Sequence, residues 1–286
     1  MTAMIDHITS TPPGRRVFQA VRPMVHFVRH VINPSIPTDH MISKVSSRNR
    51  QFSIVHRRTC ADLSVVHQCF IQEQYDLPVG VHGAFIKRLH QQIIDSGRQP
   101  LIVDCGANIG ASSLWFLARY PLAHVIAIEP APDNFELLQR NCAGLDVALK
   151  KAGIAATDCQ AYLSNPGGEG WSYQTTESKV GPEVTMLSLA TLLADKPSEK
   201  YVPFILKIDI EGAEKTLFAG DSSLLNRFPL IIMEPHDWLL PGQRSSVEFF
   251  RFHSAAQREF CMKGENVASI GFDSNLLDFS GVKLAQ

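Results

Sequence analysis

Two stretches of the chain concentrate residues able to do chemistry. In "LIVDCGANIGASSLWF", residues 101–116, an acid, two glycines and an asparagine stand between an aliphatic run and a helix-like pattern. Gly106 and Gly110 allow a sharp turn and let a ligand approach the backbone, while the helix that follows offers free N–H groups. Asn108 occupies the place of the middle glycine in G-x-G-x-x-G, and asparagine tolerates a left-handed backbone better than most side chains. Asp104 discriminates between ligands, because its carboxylate repels a pyrophosphate and attracts an ammonium. Glu129, about 25 residues farther on, is placed to accept hydrogen bonds from both hydroxyls of a ribose. An acid for an ammonium and an acid for a ribose describe S-adenosylmethionine better than a dinucleotide.

The second stretch is "LKIDIEGAE", residues 206–214. Strand alternation puts Lys207, Asp209 and Glu211 on one side, and a lysine with two acids at the end of a buried strand needs partners. "IIMEPHDW" supplies them: Glu234 and His236 share one parity, and adjacent strands would pair Lys207 with Glu234. His236 is the expected general base, since a histidine titrates near neutral pH, with Asp209 or Glu211 orienting the acceptor. His82 is a weaker candidate, better read as a surface histidine. Asp209, Glu211 and Glu234 are hard oxygen donors, yet their spacing is not distinctive for a metal, and no metal is expected. A purely structural ion-pair network stays open at this point.

These residues need elements to position them. "AFIKRLHQQIIDS", residues 84–96, places Phe85, Ile86, Leu89, Ile93 and Ile94 on one helical stripe, with Gly97 as the stop. A strand at 101–103, a helix in "ASSLWFLARY", a strand in "AHVIAIEP" and a helix from Pro132 and Asp133 to Gly144 follow. That alternation predicts a parallel sheet with right-handed crossovers. Further strands are expected at 147–155, 160–163, 170–174, 204–210 and 230–235, with helices near 187–193 and over "GAEKTLFAGDSSLLN". "SSVEFFRFHSAAQREFCMKG" reads as one amphipathic helix with Phe249, Phe250 and Phe252 in the core. Trp171 and Tyr173 suit either a lid or an ordinary hairpin.

Composition sets the frame. The 286 residues, 45% hydrophobic and 19% charged, suffice for one α/β domain with extensions. The six cysteines include no C-x-x-C pair, so free thiols and a cytoplasmic location are expected. In the first 60 residues nine basic side chains face only Asp6 and Asp39, about +7, which leaves about −8 for the remainder. This segment is expected to be a poorly ordered basic extension, with the methyl-donor domain spanning 61–286. Its "VFQAVRPMVHFVRHVI" would allow weak peripheral membrane contact; specific nucleic-acid binding is not expected. No apolar run approaches the roughly 20 residues of a membrane span, and no signal peptide is evident. Oligomeric state is not readable.

"VDCGANIGASS", "VIAIEPAPDNFELLQRN", "ILKIDIEGAE" and "LIIMEPHDWL" together resemble the signatures of the FkbM-type S-adenosylmethionine-dependent methyltransferases, in matching order and spacing over residues 62–272. The resemblance implies the class I methyltransferase fold, a Rossmann-like, doubly wound, mostly parallel seven-stranded sheet with a reversed final hairpin. It implies methyl transfer to a hydroxyl of a sugar or other carbohydrate, or of a secondary metabolite. Carried over by position, it assigns Asp104, Gly106, Asn108 and Gly110 to the methionine end of the cofactor and Glu129 to the ribose. Asp209 would lie beside the methionine or acceptor, followed by Glu211. Cys105 departs modestly from the usual small or aliphatic residue. The alternative is an NAD(P)-dependent oxidoreductase, opposed by Asp104, the missing middle glycine and the lack of a Tyr-x-x-x-Lys pair.

Overall fold

The computed structural model describes residues 39–77, 80–165, 174–176 and 181–272. The described chain opens with a hairpin of β1 (His40–Ser47) and β2 (Arg50–Arg57). This hairpin falls inside the segment expected to be a poorly ordered extension, and packing explains the difference. Ile54 is fully buried in the main core, with Val45, Phe52 and Val55 against it. The side chain of Asn141 also bonds both the N–H and the carbonyl of Val55. The folded part therefore reaches back to Asp39 instead of starting near Leu63. Residues 17–32 of the expected interfacial helix, and Trp171 and Tyr173, lie outside the described residues.

Helix α1 (Cys60–Phe70), capped by Thr59 accepting from the Asp62 N–H, and α2 (Val81–Asp95) lead into the alternating unit. That unit runs β3 (Gln99–Cys105), α3 (Ala111–Arg119), β4 (His124–Ile128), α4 (Pro132–Asn141) and β5 (Val147–Lys150). The strand expected over 147–155 divides: β5 stays in the main sheet, and β6 (Gly153–Ile154) joins a second sheet. There β7 (Cys159–Ser164), β8 (Gln174–Thr176) and β9 (Glu183–Leu187) stand in the order β6-β9-β7-β8.

The chain then returns through α5 (Leu189–Leu193) and β10 (Tyr201–Ile208). The helical stretch after it splits into α6 (Glu214–Phe218) and α7 (Ser222–Asn226), before β11 (Leu230–Met233). The expected long C-terminal helix is only α8 (Val247–Ala255), followed by the hairpin of β12 (Glu259–Lys263) and β13 (Asn266–Ile270). Phe249 and Phe252 are buried as expected, while Phe250 points outward and is 41% exposed.

The main sheet has the order β12-β13-β11-β10-β3-β4-β5, parallel except for β13, which is antiparallel to both neighbours. This is the strand order of the class I methyltransferase fold. Alternate residues of one strand feed different cores: Ile102 packs on one face, Leu101 and Val103 on the other. Both faces are thus covered, which is why the strands read as continuous aliphatic runs.

Candidate active site

From β3 the chain proceeds to β4 and β5 on one side, then crosses back to place β10 and β11 on the other. The strand order reverses at β3, and a ligand crevice forms beyond the carboxyl ends of strands at such a point. A cavity of about 460 Å³ lies there, lined by Gly106, Asn108 and Glu129 from the β3 and β4 side and by Asp209, Glu211 and His236 from the β10 and β11 side.

The turn after β3 depends on Gly106, with φ of +80°: a Cβ there would stand 1.8 Å from the Asp209 carbonyl oxygen. Asn108 adopts φ of 49°, as expected of asparagine at this place. Its N–H donates to Glu129 Oε2 at 2.9 Å, while the Ala131 N–H and the Asn134 amide donate to Oε1 at 2.9 and 3.4 Å. These bonds fix the carboxylate at the cavity wall. Burial raises the Glu129 carboxyl to about 7, against the hydrogen bonds from Ala131, Asn108 and Asn134, which favour its ionised form.

Asp104 is not where an ammonium-binding acid would be. It is fully buried and does not line the cavity. Ser112 Oγ and Ser113 Oγ donate to its Oδ2 at 2.7 and 2.6 Å, and Lys207 Nζ lies 3.4 Å from Oδ1. Gly110 does not line the cavity either; it precedes α3 with φ of +91°, and a Cβ there would press on Leu138.

Lys207 pairs with Asp104 and Asp209, not with Glu234. The parallel register puts Lys207 opposite Asp104 on β3 and opposite Ile232 on β11, which ends before Glu234. Its ammonium donates to the Gly106 carbonyl at 2.7 Å and stands 3.3 Å from Asp209 Oδ2.

Past the end of β10, Glu211 (φ 54°) and Gly212 (φ 104°) turn the chain so that Asp209 and Glu211 both face His236. His236 Nε2 is 3.6 Å from Asp209 Oδ1 and from Glu211 Oε2, and 3.9 Å from Glu234 Oε1. Its Nδ1 is 2.8 Å from Glu214 Oε1. Burial disfavours the charged ring, but the bond to Glu214 and the charges of Asp209, Glu214 and Glu211 outweigh it and raise His236 to about 10. The carboxylates around the ring thus favour its charged form, the opposite of what burial alone would do. His82 is bonded to Glu259 at 2.7 Å and does not line the cavity.

Over residues 104–260 the chain matches the family described as Methyltransferase FkbM domain. The chain belongs to that family. It is 48% identical to Methyltransferase sdnD of Sordaria araneosa, over 42% of this chain and 60% of the relative. With Methyltransferase 1 of Beauveria bassiana (strain ARSEF 2860) it shares 30% identity over 42% of this chain and 57% of the relative. The chain thus spans less than two thirds of these curated relatives. The O-methyltransferase from Bacillus cereus in complex with SAH superposes with a TM-score of 0.35, at 15% identity over 72% of this chain and 90% of that one. Strand order, not this likeness, defines the fold.

Part of the FkbM domain's cavity wall lies outside the motifs. Helix α1 contributes Cys60, Ser64, Gln68 and Cys69, and Trp238 stands at the rim. Arg57 holds α1 in place: it binds Asp62 through two nitrogens and reaches Asp133 and Asn134 on α4. The only sequence signal for this arrangement was Thr59 three residues ahead of Asp62, a cap pattern ahead of an apolar run.

Proposed function

We propose that this chain transfers a methyl group from S-adenosylmethionine to a hydroxyl of a sugar or secondary metabolite. The observation that carries the reading is a single cavity with unlike walls: Gly106, Asn108 and Glu129 on one side, a carboxylate–histidine cluster on the other. The residues fit the cofactor. Asn108 Oδ1 is buried without a partner, and the Glu129 carboxylate, already held by three donors, has further lone pairs at the wall. Ile128, Pro130, Ile154 and Met186 supply an apolar surface suited to a flat base. When bound, the cofactor supplies an electrophilic methyl on a sulfonium.

The chain's own residues then do two things. Glu129 and the Gly106–Asn108 turn orient the donor, and much of the rate follows from that alignment. The acceptor hydroxyl loses its proton to the carboxylate cluster, where Glu211 Oε2 is buried without a hydrogen-bond donor and Asp209 flanks the acceptor. His236, held at Nδ1 by Glu214, borders the acceptor space beside Glu211. Trp238, 66% exposed, offers the rim a flat face on which a ring could stack. Six free thiols support a reducing compartment such as the cytoplasm, and no helix among the described residues is long and apolar enough to cross a membrane.

The test is isothermal calorimetry with S-adenosylhomocysteine on the wild type and on Glu129→Ala, with NAD as the control ligand. Binding in the wild type and its loss in the variant are expected. Saturable NAD binding with none of S-adenosylhomocysteine would overturn the reading.

A further inference from the structure

The cluster at the ends of β10 and β11 has more organisation than proton removal requires. Asp209, Glu234 and His236 each present one ligand atom, and those atoms all lie within 4.8 Å of one another. Donors bound at about 2.1 Å to one ion stand roughly 3 to 4 Å apart, so small side-chain rotations close the set.

Three features point the set inward. His236 is 1% exposed, and its Nδ1 is held by the Glu214 carboxylate at 2.8 Å, which turns Nε2 toward Asp209 and Glu234. A histidine that ligates a metal through one nitrogen is commonly held through the other by such a carboxylate. Asp209 divides its labour: Oδ2 faces Lys207, while Oδ1 faces His236 Nε2. Finally, Glu211 Oε2 is buried with no hydrogen-bond partner 3.6 Å from His236 Nε2, an orphaned acceptor directed at the same space. Four carboxylates converge here (Asp209, Glu211, Glu214 and Glu234), against one lysine besides His236.

We infer that Asp209, Glu234 and His236 form a binding site for one divalent cation, which displaces the proton from His236 Nε2 to solvent while Glu214 orients the ring through Nδ1. Mixed imidazole and carboxylate donors suit Mn2+ or a similar first-row ion. Resting on the proposed methyl transfer, the ion's role would be to bind the acceptor oxygen and ease loss of its proton to Glu211.

Mn2+ is the probe, because Cys60 and Cys69 on the same cavity would attract softer ions such as Zn2+. The full chain is titrated with Mn2+ while free ion is followed by electron paramagnetic resonance. One ion per chain is expected, with affinity at least tenfold weaker in Glu234→Gln and in Asp209→Asn, both near-isosteric. Glu214→Gln should weaken binding about 10- to 100-fold through the histidine's orientation. No depletion of free Mn2+ by the folded wild type, or undiminished binding in both Glu234→Gln and Asp209→Asn, would overturn the site. S-adenosylhomocysteine binding on the same samples without Mn2+ reports on the methyl-donor reading separately.

Discussion

Lys207 on β10 stands opposite Asp104 on β3, its ammonium 3.4 Å from Asp104 Oδ1, with both side chains closed from solvent. The pair ties the switch-point strands together directly beneath the cavity, and the same ammonium holds the Gly106 carbonyl and Asp209. Removing one partner leaves a buried charge uncompensated. Lys207→Met should therefore cost about 3–5 kcal/mol of stability, measured by urea denaturation. A loss under about 1 kcal/mol would show that Ser112 and Ser113 alone satisfy Asp104.

Glu129 sets a pH dependence. Its folded carboxyl, raised to about 7 from 4.5, binds its proton more tightly than in the unfolded chain. Its contribution to stability therefore declines as pH rises from about 4.5 to about 7 and is level above that. Ribose hydroxyls are best accepted by the carboxylate, so S-adenosylhomocysteine affinity should increase as pH rises through about 7. The charged group acting on it is Lys207. Calorimetry between pH 6 and 8 should show this slope in the wild type and a shallower one in Glu129→Gln, where Glu211 and Glu234, raised by burial to about 7 and about 8, still line the cavity.

Arg57 couples the first hairpin to the Glu129 side of the cavity. Arg57→Ala leaves Asp62 buried without its main counter-charge, a change expected to cost about 3 kcal/mol and to expose β1 and β2 to hydrogen exchange. Because Arg57 also contacts Asn134, which donates to Glu129, cofactor affinity should fall several-fold. Lys at position 57 should not rescue either effect, since it lacks the planar fork that serves Asp62, Asp133 and Asn134 together.

Gly106→Ala should abolish cofactor binding. Its Cβ would meet the Asp209 carbonyl oxygen at 1.8 Å, so the turn after β3 or the end of β10 must move. Retained S-adenosylhomocysteine binding with unchanged affinity would show that the turn is not part of the donor site.

Trp238→Ala should leave cofactor affinity unchanged while raising KM for the acceptor, because the ring stands at the rim of the cavity. Equal losses in both would instead place it against the donor.

Much of this protein was written in local pattern. Aliphatic runs flanked by glycine and acid specified β3, β4, β10 and β11, because a strand buried on both faces has no polar alternation to confuse it. The left-handed backbone at Asn108 and the place of Glu129 followed from the same short motifs. What local pattern did not carry was the partner of each buried charge. Strand alternation put Lys207 on the right side but could not say which neighbour met it, since register and sheet order decide that Asp104, 103 residues away, is opposite and that β11 stops short of Glu234. Nor could a sequence show that Glu214 would hold His236, which depends on α6 and the segment after β11 packing together. The first hairpin was hidden for a related reason: its core residues are few and its anchor, Asn141, lies 86 positions later. Identity and spacing picked out the polar groups gathered at the switch point, whereas burial and pairing across the sheet decided which of them face the cavity and which lie beneath it.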